Sequence, residues 1–302
     1  NSGIVGKTWS EHHKSLASFI MKYNPDNVLE IGGFTGILAS HCLASNENIA
    51  WSIADPHAEN NDERIKIYKT FFDENFKIDK PVGMIVHSHL LEHIIDVNKF
   101  LSCCYSNLEE DGLMILSIPN FKQFIKNRFL NCLNFEHTIC LDEDFLVYLF
   151  NKYNFRIVEK EYFGESNSIF FCLKKSSVLI NTELPKDVYE TNKSNMLEYF
   201  RDTENFIDLI NKREEKFYLF GAHVTSQFIL AMGLDKNKII NILDNDSKKM
   251  NNRLYGTKLT VQSPHILEFD KEPCIIVKNG SYDKEISEQI LEINPKAKIF
   301  TY

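Results

Sequence analysis

At 302 residues, 43% hydrophobic and 25% charged, the chain has the size and make-up of one large globular domain or two ordinary ones. No apolar run approaches the length of a membrane span, and with Lys7, Glu11, His12, His13 and Lys14 near the start no signal peptide is expected. A formal charge of −8 argues against a nucleic-acid partner held through its phosphates. In chain order, residues 11–23 carry Leu16, Phe19 and Ile20 at helical spacing and stop at Asn24-Pro25. Residues 27–31 form a short apolar strand, followed by a glycine turn and a helix over 36–44. Strands are predicted at 49–54, 82–87 and 113–118, with a helix over 97–107, and a further helix over 144–153. An antiparallel pair, 155–163 with 168–173, closes the first pattern.

Between residues 174 and 216 the composition shifts to Ser, Asn, Glu and Lys around one amphipathic helix, about 187–211, which reads as a connector. A second pattern follows: strand 217–220, Gly221, helix 225–232, strand 239–243, Asp244, strand 274–277 and helix 283–293. Strand, glycine turn, helix, strand and acid thus occur twice. Alternating strands and helices imply a mostly parallel sheet covered on both faces, an α/β fold. The cysteines are odd in number, seven, with no C-x-x-C pair, so reduced thiols in a cytoplasmic protein are expected rather than a disulfide scaffold or zinc site. The chain opens on Asn1 rather than methionine, as a fragment or a trimmed protein does.

Glu30, Gly32, Gly33 and Gly36 follow the first strand and open a helix. Glycine permits the tight turn and lets a ligand reach the backbone, while the helix N-terminus favours an anionic group. Asp55, followed by Pro56, ends the next strand, where a carboxylate can accept from two ribose hydroxyls. The plainer alternatives are a loop-capping acid for Glu30 and a solvated strand end for Asp55. A dinucleotide site calls for G-x-G-x-x-G, which this turn lacks.

His87-Ser88-His89-Leu90-Leu91-Glu92-His93, followed by Leu108 through Pro119-Asn120, resembles the fourth and fifth motif region of class I methyltransferases. The chain as a whole resembles the sugar methyltransferases that include the C-methyltransferases of deoxysugar biosynthesis. The matching stretches run from Ser2 to Trp9 with Glu11-His12-His13, from Val28 to Gly36, and through Phe135-Glu136-His137-Thr138. They continue in Phe220-Gly221-Ala222-His223, Leu243-Asp244-Asn245-Asp246 and Leu254-Tyr255-Gly256.

The resemblance implies a Rossmann-like class I methyltransferase domain over 1–175, a helical connector over 176–215 and a smaller α/β acceptor-binding domain over 216–302. It implies S-adenosyl-L-methionine as donor, leaving S-adenosyl-L-homocysteine, held by Glu30, Gly32, Gly33, Gly36, Asp55, Pro56, His87 and His89. His93 is expected to pack on the next helix. Glu136 and His137 take the family's active-site positions, with His137 as general base. A nucleotide-linked or polysaccharide-precursor sugar is the implied acceptor, with Asn120, Asn134, Gly221, His223, Asn245 and Lys248 assigned to it. The family's N-terminal zinc-binding cysteine module is not in this sequence, which fits either a fragment or a member without it.

Methyl transfer from a sulfonium is an in-line displacement, so alignment accelerates it and the enzyme must generate the nucleophile with a base. The aromatic segment Phe121, Phe124, Phe129 and Phe135 is suited to a pocket wall. Asn134 and Phe135 stand where carbon-methylating members have Tyr-His before Glu-His; without that tyrosine to steady an enolate, O-methylation stays open beside C-methylation. No metal is expected, because a helix cannot present His87, His89 and His93 on one face. A nicotinamide-dependent oxidoreductase and a non-catalytic nucleotide-binding module are the competing readings. The first lacks its glycine fingerprint and a Tyr-x-x-x-Lys pair; the second calls for loss of the donor turn or of Glu136-His137, and neither is lost.

Overall fold

The computed structural model of the chain describes residues 7–129, 136–164 and 167–301. The chain forms two compact units, one of Asn1–Phe121 with Phe135–Lys186, the other of Lys122–Asn134 with Asp187–Tyr302. The first contains α1 (Lys7–Met21), β1 (Asn27–Ile31), α2 (Ile37–Ser45), β2 (Ala50–Ala54), β3 (Ile65–Tyr68), β4 (Val82–Ser88), α3 (Val97–Asn107) and β5 (Leu108–Pro119). After α4 (Phe121–Lys126), which leads into the second unit, come α5 (Glu143–Lys152), β6 (Phe155–Phe163) and β7 (Ser168–Lys175).

These strands make one sheet in the order β3-β2-β1-β4-β5-β7-β6. The first five are mutually parallel, and β7 runs antiparallel to both β5 and β6. Central strands are covered on both faces, so their middle residues are apolar: Val28, Leu29, Ile85 and Val86 are all fully buried. One face packs Ile85, Leu116 and Phe171 with Leu101 and Phe150; the other packs Val28, Met84 and Ile115 with Leu16, Phe19 and Ile20. Asp96 caps α3 by accepting from Lys99 N at 3.0 Å, and Asp142 caps α5 by accepting from Asp144 N at 2.9 Å.

The second unit contains α6 (Val188–Lys212), β8 (Phe217–Phe220), α7 (Val224–Ala231), β9 (Ile239–Leu243), β10 (Val261–Gln262), β11 (Cys274–Val277), α8 (Asp283–Ile293) and β12 (Lys298–Phe300). Its five strands are all parallel, in the order β10-β9-β8-β11-β12. The expected Rossmann-like α/β domain followed by a smaller α/β domain is therefore what the chain forms. The helix read from sequence as a connector is built into this second unit. Phe206, Ile207 and Ile210 on one stripe of α6 join the core with Phe217, Leu219 and Ile276, so its amphipathic face has an apolar partner. No helix among the described residues is long and apolar enough to cross a membrane.

Candidate functional site

The carboxyl ends of β1 and β4, where ligands bind in open α/β sheets, border a cavity of about 250 Å³. Trp9, His13, Glu30, Gly32, Gly33 and Phe34 line it, with Thr35, Ile37, Leu38, Ser88 and His89. Glu30 is 4% exposed and accepts from Trp51 Nε1 at 2.9 Å. Burial pushes its carboxyl up to about 7, against the pull of the Trp51 bond and with a further push from Asp55.

The glycines are needed where they stand. Gly32 and Gly36 hold φ of +75° and +71°, left-handed conformations that strain any other residue. At Gly33 the constraint is space: a Cβ there would lie 2.7 Å from Glu30 Cδ, and that carboxyl is pinned by Trp51. The backbone is thus left open to a ligand over Gly32 and Gly33.

Asp55 is buried and fixes the turn from the side. Its Oδ2 accepts from Phe34 N at 3.0 Å and its Oδ1 from His57 N at 2.7 Å, while Gly32 N donates to Ala54 O at 3.0 Å. The second unit repeats this pattern, with the donating amide one residue after the glycine instead of two. Asp244 Oδ2 accepts from Ala222 N at 2.7 Å, its Oδ1 accepts from Asp246 N at 2.9 Å, and Gly221 N donates to Leu243 O at 2.7 Å. The twofold recurrence of turn and acid in the sequence is therefore a recurrence of hydrogen bonding. Pro56, beside Asp55, is half-buried and is not part of the cavity lining.

The histidines separate into different places. His87 points away from the cavity: its ring is fully buried edge-on to Phe100, 5.4 Å between centroids, and neither nitrogen has a hydrogen bond among the described residues. Strand alternation is the reason, since residues 87 and 88 face opposite sides of β4 and Ser88 takes the cavity side. Burial lowers the His87 pKa to about 4, which keeps the ring neutral. His89 does reach the cavity, on left-handed backbone at φ +47°, with its ring 4.9 Å from Trp9 and 5.0 Å from His12. His12 is neutral too, its pKa lowered to about 2 by burial and then by His89 and His13, and its Nε2 bonds Ser117 Oγ at 2.8 Å.

His93 ends a 3-10 turn, Leu91–His93, ahead of α3. Its Nδ1 donates to Glu136 O at 2.9 Å, and its ring stands edge-on to His137 at 4.9 Å. Glu136 is exposed, and its backbone carbonyl is what holds His93. Thr138 N donates to Glu92 O at 2.8 Å, tying the two segments together.

Of the residues assigned to the acceptor, Asn120 is buried at the end of β5 and Asn134 lies outside the described residues, as does Phe135. In the second unit, Gly221 has φ +103° and both ring nitrogens of His223 are engaged: Nδ1 accepts from Thr225 N and Nε2 pairs with Asn279 Oδ1 at 2.5 Å. Asn245 is exposed and paired with Gln289, and Lys248 is exposed; the lysine that meets Asp244 is Lys249, at 3.0 Å. Phe124 and Phe129, read as pocket wall, pack on each other in the second unit.

Sequence reading missed Trp9, His13 and Ser88 as lining residues. The signal for the first two was present as an i, i+4 pair, which shares one helix face once α1 is seen to start at Lys7 rather than Glu11.

A family model for a methyltransferase domain matches residues 9–160, half of the chain and all of the strands and turns that border the cavity. No curated protein matches the sequence. Among solved structures, an O-methyltransferase family protein from Burkholderia thailandensis is similar at 10% identity and a TM-score of 0.47, covering 56% of this chain and 56% of its own. This chain thus spans little more than half that protein's length. A 1,6-didemethyltoxoflavin-N1-methyltransferase from the same organism, with S-adenosylhomocysteine bound, gives 12%, 0.45, and 57% and 80%. The N-methyltransferase NodS from Bradyrhizobium japonicum WM9, also with S-adenosylhomocysteine, gives 12%, 0.45, and 58% and 91%. The chain belongs to the methyltransferase-domain family.

Proposed function

We propose that the protein transfers a methyl group from S-adenosyl-L-methionine to a nucleotide-linked or polysaccharide-precursor sugar in the cytoplasm. The observation that carries the donor half is the turn over Glu30–Gly36: two left-handed glycines, a third with no room for a side chain, and a buried acid on either side. These residues fit the donor. The open backbone at Gly32 and Gly33 admits its methionine end, and Asp55 has lone pairs left for ribose hydroxyls. With a pKa of about 7, Glu30 is part-protonated near neutral pH, and the donor's cationic end draws it into the charged form. Trp9 and His89 present ring faces and edges to the same space, suited to a sulfonium.

His137 is the base in this reading, with Glu136 beside it, and the acceptor gives up its proton there as the methyl moves. The second unit takes the acceptor's nucleotide. Its support is the Gly221–Asp244 turn, which shares the bonding of the donor turn; His223, Asn245 and Lys248 are the contacts assigned to it, and Asn120 and Asn134 those assigned to the sugar. The atom methylated is oxygen or carbon.

An acceptor screen tests the sugar half. Incubation with the donor and a panel of nucleotide-linked sugars should raise the mass of at least one by a single methylene, located by fragmentation in the sugar. Methylation of only non-sugar acceptors in a parallel panel would overturn it.

A further inference from the structure

We propose that Glu92, His93 and His137 bind a divalent transition-metal ion beside the donor cavity. One ligand atom from each lies within 4.8 Å of the other two, a spread that side-chain rotation closes onto bonds of about 2.0–2.2 Å.

The second observation is the state of Glu92. It is 4% exposed, and neither carboxylate oxygen has a hydrogen bond among the described residues. His89 Nδ1 stands 3.3 Å from Oε1, near enough for an ion pair but out of hydrogen-bond alignment. A buried carboxylate without hydrogen-bond donors is costly unless a cation meets it.

The third is the state of His93. Its Nδ1–H donates to Glu136 O at 2.9 Å, which fixes the tautomer and leaves the lone pair on Nε2. Metal-bound histidines are held by the same kind of bond through their other nitrogen. The frame is rigid as well: Thr138 bonds Glu92 O through its amide at 2.8 Å and Ile94 O through its hydroxyl at 2.8 Å, so the 3-10 turn and the segment carrying His137 are bolted together.

Two imidazoles and one carboxylate suit zinc, iron, cobalt or nickel more than magnesium or calcium, and three ligands leave positions open for an acceptor. Such an ion polarises a bound oxygen, which favours a hydroxyl as acceptor. His89 links the triad to the cavity, because it lines the one and stands against Glu92 of the other. The sequence hid this site: His87 and His89 draw attention, yet the ligands come from the Glu-His dipeptide after them and a histidine 44 positions on.

The ion's place in catalysis rests on the methyl-transfer reading; its binding does not. Chelator-treated protein is titrated with Co²⁺, followed by visible absorption, and separately with S-adenosylhomocysteine by calorimetry. One equivalent of Co²⁺ should bind, Zn²⁺ should displace it, and Glu92→Gln and His137→Ala should each weaken it by more than roughly tenfold. Retained S-adenosylhomocysteine binding shows that the variants are folded. No Co²⁺ band in the parent protein, or equal affinity in both variants, would overturn the site. Failure to bind S-adenosylhomocysteine while Co²⁺ binds removes the donor reading and leaves the metal site standing. Coordination takes up the imidazole lone pair that a base needs, so this site gives His137 the ligand's role in place of the base's; unchanged Co²⁺ affinity in His137→Ala leaves it the base and overturns the site.

Discussion

Replacing Asp55 by alanine is expected to weaken S-adenosylhomocysteine binding about 100-fold, or ~3 kcal/mol. Two backbone donors, Phe34 N and His57 N, lose a charged acceptor, and the turn that presents Gly32 and Gly33 loses its lateral support. In the proposed complex the ribose hydroxyls lose their acceptor too. Asp55→Asn keeps the shape and one oxygen, so it should fall between the two. Calorimetry measures both, with thermal unfolding to show that the variants are folded. Parent-like affinity in Asp55→Ala would remove Asp55 from the donor site.

His137→Ala should have the larger effect on turnover, a fall of about 10²- to 10⁴-fold with donor binding unchanged. The ring stands 4.9 Å from His93 and is not among the residues lining the Glu30–Gly36 cavity, so its loss leaves that lining in place. Methyl release from labelled donor to acceptor reads the first quantity and calorimetry the second. Near-normal turnover would exclude His137 as base.

The central strands and the Glu30–Gly36 turn were legible in the sequence because one physical signal defines each. A short apolar run bounded by Gly, Pro or Asp is too short for a buried helix and fits a strand covered on both faces, and β1, β8, β9 and β11 begin and end where that signal does. The three strands that were missed, β3, β10 and β12, are all at sheet edges. An edge strand pairs on one side only and needs few apolar residues, so Ile65–Tyr68 or Val261–Gln262 leave little trace. The candidate site was legible to the same degree. Glu30, the glycines and Asp55 announce themselves by spacing, and the structure adds how they hold one another. Which histidine faces the cavity depends on strand alternation and on one 3-10 turn, so His87, His89 and His93 could not be sorted without coordinates. The helix at 188–212 was misplaced for a related reason: its apolar stripe shows that it has a partner, without showing which unit supplies it.

The central claim is that the Glu30–Gly36 turn is a methyl-donor site. It is tested most directly by titrating the protein in a calorimeter with S-adenosylmethionine, S-adenosylhomocysteine and NADH. The account predicts saturable binding of the two S-adenosyl compounds at one equivalent and no response to NADH. Binding of NADH with no response to either S-adenosyl compound would contradict it.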